Sequence, residues 1–377
     1  MNILNFRGFI RDVVYAPVLI PNLTTYDFNN FNINQSKPFG IISLDSLQNN
    51  LAFSQWKSPK RTRTYPFARI YNTYHLNSKK VTIIPIIKDE GADGDNDRLN
   101  FITMSWMNLL NVYIILAWYE RADRVTDSNI NKIKNQKFSN EYINQKLLEI
   151  SHYQLTALHW NTTHFEKDFE TVYLNAVNSY KNISSTQNVK LHPYSKHIEV
   201  LNSFKRDGKF SIQSFKESTL DRSLAAARRE STTKHKLEYL SDGYKGVFSI
   251  SNYLGGMYHL TSDEVYQQGT IFIIQESKNS SSRQMPSEDD IKDGLFKLIL
   301  FSNLEYLYLD DNPVEFTTRL KLTGKVNGSL HFPNETTAIE EFCHINSFKK
   351  NQIKIVQSLN LETKQNSKLN VLITSNV

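Results

Sequence analysis

The chain has 377 residues, of which 40% are hydrophobic and 22% charged, with 44 Lys and Arg against 38 Asp and Glu for a formal net charge of +6. That supplies a core and excludes wholesale disorder, while the mild positive charge permits a polyanionic partner without requiring one. A single cysteine, Cys343, excludes an internal disulfide framework and a thiolate metal site. The 13 glycines are about half the usual share of roughly 7%, and neither GxxxxGK[ST] nor GxGxxG occurs, which disfavours Gly-rich phosphate loops.

The first residues carry Arg7, Arg11 and Asp12 where a signal peptide needs an apolar run. Asn-x-Ser/Thr triplets then carry no glycosylation meaning. Lys80–Ile87 reads as a strand buried on both faces, followed by the acidic stretch Asp89–Asp97. Leu99–Tyr119 holds no charge and is long enough for a bilayer. Its Asn100, Asn108 and Asn111 and the β-branched, aromatic second half instead predict a buried helix over 99–110 and a core strand over 112–119. No membrane association is expected. From Asn140 to Tyr180 apolar residues recur at helical steps, and the polar run Lys181–Asn188 is the best linker.

The second half opens with a predicted helix over 215–230, then Ser241-Asp-Gly243, a short strand over 246–250, and an apolar strand ending in Ile274-Gln-Glu-Ser-Lys278. A helix starting near Pro286 carries Ile291, Leu295, Leu298, Ile299 and Phe301. Beyond Pro313 the sequence reads as strands and offers no motif. There is no internal repeat.

The element with the most chemical content is Glu276-x-Lys278. Residues two apart on a strand share a face, so a carboxylate and an ammonium project together from a buried strand, where packing has no use for them. With a second acid, two carboxylates can hold Mg²⁺. The ion lowers the pKa of bound water and neutralises a phosphoryl oxygen, and the lysine orients that water or stabilises developing charge. Two residues compete to be that acid. Asp242 reaches the same end as Glu276 if the 246–250 strand runs antiparallel to 270–278. Asp263 fits a tight hairpin turning near Gln268-Gly269. Asp242 is favoured.

Helix, Ser-Asp-Gly, strand, Ile-Ile-Gln-Glu-Ser-Lys and helix together resemble the core of the PD-(D/E)XK nucleases, and the layout is similar to type II restriction endonucleases. The resemblance covers about 215–305. It implies an α/β fold with a mixed sheet flanked by helices, Mg²⁺ dependence and double-stranded DNA as substrate. It makes Asp242, Glu276, Lys278 and Asp263 the candidate catalytic residues and Asp242 and Glu276 the metal pair. Ser241 stands where the named motif has proline, and 34 residues separate Asp242 from Glu276. Glu230 or Asp221 resembles an extra acid that some members place on the preceding helix.

Trp56–Arg69 carries Lys57, Lys60, Arg61, Arg63 and Arg69 with three aromatics, two prolines and no acid. It reads as a loop or extended arm able to meet phosphates or guanine. Arg222, Arg228 and Arg229 form a second basic patch. Asp93, Asp95 and Asp97 have calcium-loop spacing, but Arg98 and Met104 occupy the positions that need Gly and Glu, which leaves a structural turn, the favoured reading, or a second, non-standard metal site. His152, His159 and His164 lack partners for a metal set and are expected on helix surfaces.

These readings give an N-terminal recognition and dimerisation region, residues 1–185, with an additional α/β fold, and a nuclease-like region, residues 190–377. The expected activity is that of a Mg²⁺-dependent, sequence-specific DNA endonuclease, a homodimer in the bacterial cytoplasm with a cognate DNA methyltransferase as genetic partner. The alternatives are a repair or recombination nuclease with the same core, or a DNA-binding protein that has lost its chemistry.

Overall fold

The computed structural model describes residues 3–44, 50–126, 131–219, 243–253 and 257–376. The chain forms two units of mixed α/β structure. Unit 2 is the continuous segment Asn22–Arg228, and unit 1 combines Met1–Pro21 with Arg229–Val377. Each is built on sheets flanked by helices, and no helix among the described residues is long and apolar enough to cross a membrane.

Unit 1 begins with β1 (Ile3–Ile10), and the chain then passes into unit 2. There β2 (Thr25–Asp27), β3 (Phe39–Ser43), β4 (Asn50–Gln55), β5 (Lys79–Pro85) and β8 (Val112–Ala117) make one sheet in the order β2-β3-β4-β5-β8. The pairs β4/β5 and β5/β8 are parallel. The short strands β6 (Ile87–Asp89) and β7 (Asn96–Arg98) pair with each other. So do β9 (Tyr119–Arg124) and β10 (Ile133–Phe138). Helices α1 (Pro66–Tyr71), α2 (Phe101–Leu109), α3 (Asn140–His152) and α4 (Ala157–Gln187) accompany them. The expected helix and strand over 99–119 are therefore present as α2, whose cap Asn100 accepts from Thr103 N, and β8, every residue of which is buried.

β8 ends its sheet and would leave backbone groups bare. Helix α4 covers them with side chains. Asn161 Oδ1 accepts from Ile114 N at 2.7 Å, Trp160 Nε1 donates to Ile114 O at 2.8 Å, and His164 Nε2 accepts from Leu116 N at 3.0 Å. His164 is thus buried, not on a helix surface, and its other nitrogen meets Asp168 at 2.7 Å. His152 and His159 lie on different helices, because the pattern breaks between α3 and α4.

The expected linker 181–188 is a second correction. Its residues form the last turns of α4, where buried Ile183 anchors the helix and Ser185 and Thr186 return hydrogen bonds to Lys181 O and Asn182 O. Polar composition concealed a helix held by one apolar contact per turn. The chain goes on through α5 (Tyr194–Asn202), the small hairpin β11 (Lys205–Arg206) and β12 (Lys209–Phe210), and the helical run 212–219, α6.

Unit 1 resumes with β13 (Lys245–Asn252), β14 (Met257–Thr261), β15 (Glu264–Gln268) and β16 (Ile271–Asn279). Helix α7 (Glu288–Ser302), β17 (Tyr306–Leu309), β18 (Asn312–Pro313) and β19 (Glu315–Gly324) follow. The chain closes with β20 (Ser329–Phe332), α8 (Thr336–Ile345), α9 (Lys350–Gln365) and β21 (Leu369–Ser375). One sheet has the order β14-β13-β1-β17-β18 and the other β15-β16-β19-β21-β20. The two helices after Pro313 were not expected. Each buries only a few apolar residues, such as Ile339, Phe342 and Cys343 in α8 and Val356 and Leu359 in α9, too sparse a stripe to stand out.

Candidate active site

The run Ile271-Phe-Ile-Ile is β-branched and aromatic, which suits the middle of a sheet. In β16 it leads straight into Glu276 and Lys278. Parallel pairing sets Glu276 opposite Leu320 and Lys278 opposite Leu322 of β19. These lie opposite Val371 and Ile373 of β21, which in turn face Phe332 and Leu330 of β20. The two charged residues therefore occupy rows that are apolar across the rest of the sheet. Glu276 is fully buried. An isolated charge in such a place costs several kcal/mol, so its neighbours matter.

Helix α7 supplies them. Ser287 and Asp290 form a capping box at its start, and three acids occupy its first turn, complementing the helix dipole. Asp293 and Lys297, four residues apart, lie on one helix face. Lys278 Nζ is 2.8 Å from Asp293 Oδ2, and Lys297 Nζ is 2.5 Å from Glu276 Oε2. Between them, Gly294 permits the close approach. A Cβ there would stand 2.6 Å from Leu320 Cδ1 and 3.3 Å from Lys278 Cε.

The hairpin β15–β16 supplies the second carboxylate. Glu264 pairs with Gln275, so Asp263 comes beside Glu276 at the next position. Ser277 N donates to Asp263 Oδ2 at 3.3 Å, and Lys297 Nζ lies 3.9 Å from Asp263 Oδ1. The register locates a bulge at this point. Val247 pairs with Thr261 but Tyr244 with Val265, so two residues, Lys245 and Gly246, stand against three, Ser262, Asp263 and Glu264. Such a bulge re-aims a side chain out of the regular ladder.

The two carboxyl groups are driven apart. Burial pushes Glu276 up, the charge of Asp263 adds to this, and Lys297 and Lys278 offset only part, leaving it at about 8. For Asp263 burial acts in the same upward sense. The charge of Lys297, the neighbouring Glu276, Lys278 and the Ser277 N–H outweigh it and bring it to about 2. Burial and the neighbouring charges thus favour the neutral form of Glu276 and the ionised form of Asp263. Among the described residues Glu276 Oε1 has no hydrogen-bond partner. A buried, unpartnered oxygen beside an ionised carboxylate fits an oxygen-preferring divalent cation. No group of three or more His, Cys, Asp or Glu side chains suited to a metal occurs among the described residues.

Asp242 lies outside the described residues, as do Asp221, Arg222, Arg228, Arg229 and Glu230. The strand geometry that favoured Asp242 is not the one found. Tyr244, just before β13, bridges antiparallel to Val265 of β15, and β15 runs antiparallel to β16, so β13 and β16 run in the same direction. Asp263 occupies the hairpin position described for it. Lys297 was missed by sequence reasoning. Its only signal is a lysine set among Phe296, Leu298, Ile299 and Leu300, all buried.

The basic segment 56–69 is a loop leading into a helix, not an extended arm. Trp56 is buried, and 66–71 is the largely buried helix α1. Lys57 and Lys60 are exposed. Arg61 lies 5.8 Å over the Phe67 ring, and Arg69 donates to Gln55 O at 2.6 Å. Arg63 is matched by the acidic stretch: it meets Glu90 at 2.8 Å, Asp97 at 3.3 Å, and Asp95. The stretch 89–97 thus makes the turn between the paired strands β6 and β7. Asp89, fully buried, accepts from Gly91 N at 2.8 Å and His192 N at 3.1 Å.

Comparison with known protein families, curated proteins and solved structures gave no match.

Proposed function

We propose that unit 1 is a Mg²⁺-dependent phosphodiester hydrolase acting on double-stranded DNA, with a core of the PD-(D/E)XK kind and the sequence-specific activity of a type II restriction endonuclease. The observation that carries this reading is the placement of Asp263 and Glu276 side by side, on the helix-covered face of a sheet, with Lys297 between them. The strand plan supports it. β13, the β14–β15 ribbon and β16 form an antiparallel meander, and α7 then crosses to β19, parallel to β16.

Asp263 and Glu276 would hold the cation. A divalent ion bound there supplies a water of lowered pKa and neutralises charge on a phosphoryl oxygen. The residues of the chain do the rest. Glu276 must give up its proton for the pair to bind a cation. Lys297 is placed to donate to an oxygen as it gains charge in the transition state. Lys278, tied to Asp293, holds α7 against β16 and so positions Lys297. A homodimer acting on a palindromic site, and a methyltransferase that protects host DNA, belong to the same proposal.

The test is plasmid cleavage by the intact chain. Discrete fragments with Mg²⁺ or Mn²⁺, none in EDTA, and binding without cleavage in Ca²⁺ are the expected results. Full activity in EDTA would overturn the mechanism. Nicking confined to structural discontinuities would replace restriction by repair.

A further inference from the structure

The ribbon β9–β10 carries a charge arrangement that the fold does not require. Arg121, Arg124, Lys134 and Lys137 are exposed, and none is ion-paired to a described acid. Ribbon register sets Lys137 directly opposite Arg121. Like charges facing across a strand pair are destabilising, so this pair costs the free protein stability that a neutral pair would spare. The register also shifts between Lys134 and Lys137, and Asn135 takes a left-handed φ of 52°. This irregularity moves Lys137 into register with Arg121. Asp123, an acid on the same ribbon, is taken by Asn135 Nδ2 at 3.0 Å.

At the foot of the ribbon, still within unit 2, lies a polar cavity of about 490 Å³. Arg121 and Lys137 line it together with Gln35, Glu120 and Glu141. Those side-chain types are the ones that read base edges: Arg and Lys pair with guanine, Gln with adenine, and Glu accepts from the cytosine amino group. A two-stranded ribbon also fits the major groove, which is about 12 Å wide.

We propose that the β9–β10 ribbon and the cavity at its foot are the surface on which unit 2 receives duplex DNA, with a phosphate bridging Arg121 and Lys137. The choice of DNA as the duplex rests on the nuclease reading of unit 1. The charge arrangement does not. It differs from the segment 56–69, whose Arg63 is already held by three carboxylates.

The experiment measures anisotropy of a fluorescein-labelled, random-sequence DNA duplex with the full chain, in Ca²⁺, over a series of salt concentrations. The variant is Arg121→Gln/Lys137→Gln, and the control Lys350→Gln/Lys354→Gln removes two exposed lysines from α9. The ribbon variant should bind several-fold more weakly, and its salt slope should fall by about 0.9 for each phosphate that it no longer neutralises. The control should keep the wild-type slope. A ribbon variant whose affinity and slope change no more than the control overturns the proposal, as does a wild type that binds no duplex at low salt. Relief of the like-charge contact should leave the ribbon variant melting at or above the wild type. A lower melt refutes the repulsion on which the argument stands, and Lys137→Gln alone repeats the binding test with half the change. Ribbon-dependent binding by a protein that cuts nothing in Mg²⁺ keeps this surface and removes the nuclease reading instead.

Discussion

Lys297 Nζ of α7 lies 2.5 Å from Glu276 Oε2 of β16, whereas Lys278, two residues along the same strand as Glu276, pairs with Asp293. The lysine that touches the carboxylate pair is therefore the helix residue and not the one in the Glu-x-Lys tripeptide. Lys297→Ala should lower the cleavage rate about 10²-fold or more, the usual scale for removing a transition-state donor. Lys278→Ala should lower it less, and Lys278→Arg, which can keep the tie to Asp293, should restore most of the loss. Equal effects from both alanines, with no rescue by arginine, would return Lys278 to the reacting position.

The carboxylates make a matched pair of substitutions. Glu276→Gln and Asp263→Asn should each abolish Mn²⁺ binding, followed by electron paramagnetic resonance, and cleavage with it. Both proteins should still bind duplex DNA. Glu276→Gln should melt no lower than the wild type, because a neutral amide replaces a group whose ionisation is opposed by burial. Normal cleavage by either variant would remove that residue from the site, and Asp263→Asn retaining activity would return attention to Asp242.

The same pair sets a pH dependence. Glu276 has a folded-state pKa raised to about 8 from an ordinary 4.5. The folded protein thus binds a proton that the unfolded chain releases, so this stabilisation is full below about 4.5 and is lost as pH rises through about 8. Asp263, held at about 2 against an ordinary 3.8, works in the opposite sense: its contribution is present above 3.8 and lost as pH falls towards 2. Without divalent ions, wild-type melting temperature should fall between pH 5 and 8 relative to Glu276→Gln. Cation affinity should rise over the same window, since binding expels the Glu276 proton. Parallel melting curves for the two proteins across that range would contradict the raised pKa.

Arg63→Ala should act on stability. It removes a guanidinium that meets Glu90, Asp95 and Asp97, leaving Glu90 to Lys88 and Asp97 to the Ser58 hydroxyl. A loss of about 1–3 kcal/mol is expected, from hydrogen bonds to charged groups, read from urea unfolding. The salt slope of DNA binding should stay at the wild-type value. A changed slope with unchanged stability would make Arg63 a phosphate contact after all.

Gly294→Ala tests the fit of α7 on the sheet. The new methyl group would meet Leu320 and press on Lys278. Overpacking of this sort costs about 1–3 kcal/mol. Because the displaced helix carries Lys297, kcat should fall more than KM changes. Wild-type kinetics would show that the helix can shift without disturbing Glu276.

The candidate site was readable where local pattern decides structure. The run Ile271–Ile274 announced a buried strand, Gly269 at a φ of 63° marked the hairpin turn, and Pro286 with Ser287 marked the start of α7. The choice between Asp242 and Asp263 depended on strand direction, which is a tertiary property. β13 takes β1 as a parallel neighbour from the other end of the chain, and nothing in the residues around 246–250 signals that. Lys297 was hidden for a similar reason: one lysine within an amphipathic helix looks like a solvated face until the sheet beneath it is known. Arg63 misled because composition records the charge of a segment but not the acids that fold back onto it.

Unit 1 is assembled from the two ends of the chain, with unit 2 inserted between them. Ile3 of β1 pairs with Lys245 of β13, and Tyr15 donates at 2.6 Å to Glu362, which lies 347 residues later. On the ribosome, β1 must therefore wait for β13, whose Lys245 follows Ile3 by 242 residues. Unit 2, a continuous segment, is complete long before. Domains fold as units during synthesis, and long-range pairing is slow and exposes strand edges. Nascent chains stalled beyond Arg228 should thus carry a protease-resistant unit 2 behind a cleavable N-terminal segment. Resistance of residues 1–21 at that stage would show that β1 finds shelter before its partner strand exists. The site at Asp263 and Glu276 follows unit 2 in the chain, so it can assemble only after unit 2 has been made.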